Sequence, residues 1–315
     1  MTAVAARRAA AGIALVFFLT PAAAPAGDFE GVLAIRETTV TREAILRGYA
    51  AAHQGAAGSA EEVAGWALGL SPEDVSALQG AGTETAEQTI YIKGSRLRAD
   101  TADAEAPFGW VLADEAQGRL WMVSDTERLY VEISAAETQR MIDAAMDQAR
   151  AAMAQAGMPT EEIERAIAQM KSGLSPGEAP AARPVPAPLG KRARIGAWEA
   201  EAYEVRAPGR RIVGWVAPDT YGLRGSIERL ERGMKEALGG AGNSEPDAEE
   251  ALWEKGLPVR VLTLRLSDGR VTGLSISELL KVEPGSVPDA KFVLPAGYKK
   301  TTLADLVGRA GGENR

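Results

Sequence analysis

Apolar side chains along this sequence recur with a period near two in some stretches and near 3.6 in others, and the changes of period divide the chain into elements. Residues 29–40 are apolar and β-branched and predict a strand. An alanine-rich stretch of helical period follows over about 41–80 and has the look of an insertion. Its helix starts are marked locally. Ser59 with Glu62 three residues later forms a capping box, and Ser71-Pro72-Glu73-Asp74 places a cap, a first-turn proline and first-turn acids together. Between them Val63, Trp66, Ala67 and Leu70 share one helical face. From Thr83 to Ile133 the period shortens again, predicting strands at 88–93, 96–101, 108–113, 119–124 and 128–133. Turns at Gly94-Ser95 and Gln117-Gly118 are short enough to require antiparallel hairpins. Trp110-Val111-Leu112 and Leu120-Trp121-Met122-Val123 are apolar at successive positions, so both faces of this sheet are expected to be covered.

Ser134 with Glu137 reads as a further capping box. It opens a helix whose apolar face is Met141, Ile142, Ala145, Met146, Ala149, Ala152, Met153 and Ala156. A second helix starts near Thr160 with Ile163, Ala166, Ile167 and Met170 inward. Five of the eight methionines lie in this 134–172 segment, a soft surface able to cradle a lipid or a partner helix. The same spacing is also that of ordinary core packing, and a sulfur-bound metal would lack any accompanying histidine or cysteine. Five prolines among alanine and glycine make 173–190 an extended connector. Strand patterns return at 191–195, 198–206 and 211–217. A helix with Ile227, Leu230, Met234 and Leu238 on one face, a glycine-rich loop and a short helix around 251–254 come next. Strands at 257–266 and 270–279 flank a Ser267-Asp268-Gly269 turn, and residues 305–315 form a polar tail.

The amino terminus has a different character. Arg7 and Arg8 precede an apolar run from Ala9 to Leu19, too short to span a bilayer, and small residues follow. This is the order of a secretory signal peptide over 1–26, with cleavage expected after Ala26 and delivery to a periplasm or the cell exterior. Residues 27–304 are then expected to form one domain without a transmembrane segment. Loss of Arg7 and Arg8 would take the net charge of −8 to −10, which argues against nucleic acid as a partner.

Chemistry is sparse. The absence of cysteine excludes thiol nucleophiles and thiolate metal sites, and a single histidine, His53, excludes mechanisms that need two. His53 reads as a helix C-terminal residue. Gly173-Leu174-Ser175-Pro176-Gly177 has the letters of a nucleophile elbow without the strand before it or the helix after it. Gly239, Gly240 and Gly242 follow a helix and lack the P-loop lysine. Neither Asp100 with Asp103 nor Glu161, Glu162 and Glu164 has calcium-loop spacing. Trp110, Trp121, Trp198 and Trp215 fall in strands, where they either build an apolar groove or belong to the core. No enzyme and no cofactor is implied.

Four stretches carry a resemblance: Asp28-Phe29-Glu30-Gly31-Val32, Thr89-Ile90-Tyr91-Ile92-Lys93-Gly94, the ten residues from Gly196 to Val205, and Leu294-Pro295-Ala296-Gly297-Tyr298-Lys299-Lys300. Together with Lys255-Gly256-Leu257-Pro258-Val259 they resemble a secreted bacterial family, domain of unknown function 4412, whose fold is similar to the LolA and LolB lipoprotein carriers. The resemblance implies an α+β fold, an antiparallel half-barrel sheet whose concave face is covered by helical insertions. The expected function is a binding protein holding a lipid or acyl chain in an apolar cavity. Trp110, Trp121, Met141, Met146, Met153, Trp198 and Trp215 are the candidate lining. The alternative is an interaction or sensor module with a closed core that meets another envelope protein.

Overall fold

A computed structural model describes residues 29–78, 80, 82–102, 108–174, 184–229, 248–302 and 305. The expected signal segment, the tail after 305, residues 175–183 of the connector with the elbow-like Ser175, and the glycine-rich loop lie outside the described residues. In chain order the elements are β1 (Gly31–Thr41), α1 (Arg42–Ala52), α2 (Ala60–Leu68), α3 (Pro72–Ala77), β2 (Thr83–Lys93), β3 (Arg96–Thr101), β4 (Trp110–Asp114), β5 (Arg119–Ser124) and β6 (Leu129–Ser134). Then come α4 (Ala135–Gln155), α5 (Thr160–Leu174), β7 (Ala187–Ile195), β8 (Trp198–Ala207), β9 (Arg210–Ala217), a helical segment over 223–229, α6 (Glu250–Trp253), β10 (Leu257–Ser267), β11 (Arg270–Pro284) and β12 (Lys299–Lys300).

The fold is α+β, built on one unclosed sheet in the order β12-β6-β5-β4-β3-β2-β1-β11-β10-β9-β8-β7. The two-residue β12 runs parallel to β6, and the other pairings are antiparallel. Residues opposite one another in register share a face. One apolar row therefore crosses six strands through Leu33, Ile90, Ala99, Val111, Met122 and Val131. All six belong to the largest core cluster, together with Leu223, Ile227 and Trp253.

The opposite face has two covers. Helices α1, α2 and α3 bury Val40, Leu262, Leu264, Leu274 and Ile276 beneath Ile45, Val63, Ala67 and Val75. Thr41 caps α1, while Ser59 with Glu62 and Ser71 with Asp74 form reciprocal capping boxes on α2 and α3. Arg260 lies under these helices, 2% exposed, with its Nε 2.9 Å from Glu278 Oε1 on the neighbouring strand. This approach is an ion pair without hydrogen-bond geometry, since neither Nε nor Nη2 makes a hydrogen bond. Burial lowers the arginine's pKa, opposed by Glu278, Asp74 and Glu73. His53 ends α1: its ring stacks on Tyr49 at 4.1 Å, and its Nδ1 lies 2.9 Å from the Tyr49 carbonyl oxygen, which can only accept.

At the other end of that face, the residues before β12 cover β3, β4 and β5, seating Val287 and Phe292 against Trp110, Leu112, Trp121 and Val123. Cations fasten this strap: Arg96 lies 4.8 Å over Phe292 and Lys291 4.3 Å over Tyr91, while Lys93 Nζ is 3.3 Å from Asp289. Trp110 and Trp121 thus face away from the Leu33 row, as the alternation Trp110/Val111 and Trp121/Met122 dictates.

The helices depart from the expectation of a cover on one concave face. The 41–80 insertion packs on the Val40 side of the sheet, opposite Leu33. The α4–α5 hairpin has a small core of its own, Met146, Ile163 and Ile167 with half-buried Ile142, Ala149 and Met153, because its methionines meet apolar residues across the hairpin. At its start Ser134 accepts the Glu137 N–H at 3.3 Å, but the Glu137 carboxylate accepts from Arg140 at 2.8 Å. Strand β7 takes the last residues of the connector, including Pro188, tolerated on an edge strand. Strands β2 and β11 extend beyond their expected bounds, into Thr83–Glu87 and Leu280–Pro284, because β1 pairs with β2 from Gly31 to Val40 and with β11 from Gly31 to Thr41.

Met146→Ala is expected to weaken only the hairpin, by about 2–3 kcal/mol of local stability. Hydrogen exchange followed by mass spectrometry should show faster exchange over 135–174 and unchanged protection in β1, β10 and β11.

Candidate functional site

On the Leu33 face the apolar row gives way to polar residues toward the far end of β1. Ile35 lies between Gln88 and Leu279, Glu37 between Ala86 and Ser277, and Thr39 between Glu84 and Ser275. The next strand continues the rows with Val261 beside Ser277 and Thr263 beside Ser275, and Gly214 follows Val261. Here α6 packs closely, because Gly214 has no side chain: a Cβ would stand 2.4 Å from Leu252 Cδ1. The close seat of α6 brings Glu249 and Trp253 onto this face.

Between sheet and helices is an apolar cavity of about 60 Å³. Its sheet wall is Leu33, Ile35, Val261, Ser277 and Leu279; Leu223, Ile227 and Trp253 form the other side, with Leu257, Pro258 and Glu249 completing the lining. Glu249 is 6% exposed, and the buried Thr263 hydroxyl donates to its Oε1. Glu37 stands beside Ser277, one position outside the lining, and its carboxyl makes no hydrogen bond or ion pair with another described residue. Desolvation pushes its carboxyl from 4.5 up to about 7. A wider concavity of about 660 Å³ lies at Glu127, Arg128, Leu129, Gly297 and Lys299, with mixed charge and a single apolar side chain on its wall. Of the two, the smaller has the apolar lining with few polar groups that marks a ligand site. Among the described residues no cluster of three His, Asp or Glu is placed to hold a metal ion.

The residues expected to line a cavity from the sequence do not come together. Trp110 and Trp121 lie under the carboxy-terminal strap, their Nε1 atoms donating to Asp125 at 2.9 Å and Glu132 at 3.2 Å, and Arg98 stacks 3.9 Å over Trp110. Met146 and Met153 belong to the hairpin, as does the backbone of Met141, whose side chain lies outside the described residues. Trp198 and Trp215 are half-buried against the main cluster without reaching the cavity lining. The tryptophan that does line it, Trp253, lies on a helix of four residues. One local signal was available: Leu33, Ile35 and Glu37 occupy alternate positions of a strand, and an acid at the third is out of keeping with the other two.

No family model and no curated protein matches this chain. Among solved structures it is similar to a structure of PNGF-II in the C2 space group, at 9% identity and a TM-score of 0.32, over 89% of this chain and 33% of that one. The chain spans about a third of that neighbour's length, and a likeness of this degree assigns no function.

Glu37 gives the site a pH signature. Its folded pKa of about 7 lies above the unfolded value near 4.5, so ionisation costs nothing extra at pH 4 and the full penalty applies above pH 7. The neighbours on its face are Ile35, Thr39, Ala86, Ser277 and, diagonally, Gln88, Glu84, Ser275 and Leu279, none of them basic. Glu37→Gln should therefore stabilise the protein by about 1–2 kcal/mol at pH 8, after allowance for partial exposure, and by almost nothing at pH 4. Urea unfolding at the two pH values checks this, and an equal effect at both would contradict the burial of the charge.

Proposed function

We propose that this is a periplasmic or secreted binding protein, not an enzyme, that takes the end of an acyl chain or similar apolar ligand between the sheet and its helical cover. The observation that carries the reading is the apolar cavity bounded by Leu33, Ile35 and Leu279 on one side and Leu223, Ile227 and Trp253 on the other. The expected signal segment supports the location, and the half-barrel resemblance supports the ligand class. At about 60 Å³ the cavity has room for a few water-sized groups, so a chain tip enters it as it stands. A longer ligand requires the 223–229 segment to shift away from the sheet. Among the described residues no helix is long and apolar enough to cross a membrane.

The test is native mass spectrometry of protein purified from its own envelope without detergent, followed by organic extraction. A stoichiometric apolar ligand is expected, and Ile35→Trp, which fills the cavity from the sheet side, should lose it while keeping the far-ultraviolet circular dichroism of the parent. Protein that stays ligand-free after incubation with envelope lipids would sink the proposal. The interaction module would then lead, with the α4–α5 hairpin as its first candidate surface.

A further inference from the structure

The wider concavity, beside the turn between β5 and β6, has a chemistry of its own. Its wall is Glu127, Arg128, Leu129, Gly297 and Lys299, two cations to one acid on a chain of net charge −8. Arg128 reaches it in an unusual backbone conformation. Among the described residues three that are not glycine have positive φ: Gln54 just past the end of α1, Asp268 in the hairpin turn before Gly269, and Arg128 at 54°. Helix ends and two-residue hairpin turns are customary places for such a residue. A long basic side chain has no local reason to adopt it, and strain of this kind collects at ligand clamps. The backbone there is fixed, since the Arg128 carbonyl accepts the Lys299 N–H at 3.1 Å and the Tyr130 carbonyl that of Thr301 at 2.9 Å. The guanidinium stands 5.9 Å over the Tyr298 ring, and Gly297 passes alongside, where a Cβ would lie 3.7 Å from Nη2. Asp125 in the same turn and Glu132 on β6 are held by other donors. Asp125 Oδ1 accepts from Trp110 Nε1 and from the Tyr298 hydroxyl, both at 2.9 Å; Glu132 accepts from Trp121 Nε1 at 3.2 Å and lies 3.6 Å from Lys300 Nζ. Arg128 and Lys299 make no ion pair with a described residue. Glu127 shares the wall and offsets one of their two charges.

We propose that this concavity binds the phosphate of a small phosphomonoester or of a phospholipid headgroup. Arg128 supplies the forked pair of donors and Lys299 the second charge, an arrangement suited to a group with several acceptor oxygens and nearly two negative charges. At about 660 Å³ the space also admits the glycerol or sugar that carries the phosphate. The site shares no lining residue with the apolar cavity, so neither reading depends on the other.

Calorimetric titration of the intact protein with glycerol phosphate at low salt, at pH 8 where the phosphate is a dianion, tests this. Saturable binding is expected, weakened about tenfold by Arg128→Gly or by Lys299→Gln. Arg128→Gly separates binding from folding, because glycine adopts positive φ freely: its thermal midpoint should equal or exceed the parent's while its affinity falls. Vesicles of phosphatidylcholine with and without phosphatidic acid distinguish the sources. Retention that needs both phosphatidic acid and Arg128 identifies the headgroup, and glycerol phosphate binding without such retention identifies a soluble ester; either supports the phosphate site. Absence of binding in both forms, affinity unchanged by both substitutions, or acetate and sulfate binding as tightly as glycerol phosphate, which would make the site one for an adventitious ion only, would overturn it.

Discussion

The pairing of β1 with β11 holds this protein together. Residues 31–41 and 273–284 lie more than two hundred positions apart, yet they align from Gly31 beside Pro284 to Thr41 beside Gly273. On its other edge β1 pairs with β2, so a single strand joins the meander β2–β6 to the sheet half β7–β11. Register along this seam decides which residues face which cover, because a slip of one position exchanges the faces of a strand. An irregularity at Ala34/Ile35 leaves Leu280 without a partner on β1 and keeps Leu279 in line with the apolar row. Arg36, Glu278 and Arg260 then fall side by side on the helix-covered face, and their alternating charges suit that register alone.

A sheet that is apolar on both faces must be covered twice, and this chain uses separate pieces for each task. The helical insertion after β1 returns to the strand it left, the carboxy-terminal strap closes the far end of the same face, and α6 with the 223–229 segment lies on the other. The cavity occurs where the Leu33 face changes from apolar to polar rows under the last of these covers. Its form depends on Gly214, which lets Leu252 approach, and on Thr263, which fixes Glu249.

What the sequence disclosed was local. The capping boxes at Ser59 and Ser71 and the hairpin turns at Gly94 and Asp268-Gly269 are written within a few residues, and the elements they bound are present. Strand ends were harder to read, because Thr83–Glu87 is mostly polar and Leu280–Pro284 mixes apolar, charged and proline residues, and both become strand through β1, a distant partner. Methionine at helical spacing did not distinguish a ligand surface from the small core that Met146 makes with Ile163 and Ile167. Trp110, Trp121, Trp198 and Trp215 lie in strands as their local pattern predicts, but strand position alone does not reveal which face lies under which cover. The cavity draws on β1, β10, β11, the 223–229 segment and α6, elements whose meeting no local pattern encodes.

The two ends of the sheet bear on how the protein behaves in a crowded compartment. At one end β12 offers two residues, too few to template a neighbour. At the other, β7 is longer and largely exposed, but it carries Pro188, Lys191, Arg192 and Arg194, and its register breaks between Pro188 and Arg192. A second chain adding there would lose ladder bonds at the proline and the irregularity and would bring like charges together. The open sheet is thereby guarded against edge-to-edge growth into fibrils, a protection that closed barrels obtain by having no edge at all.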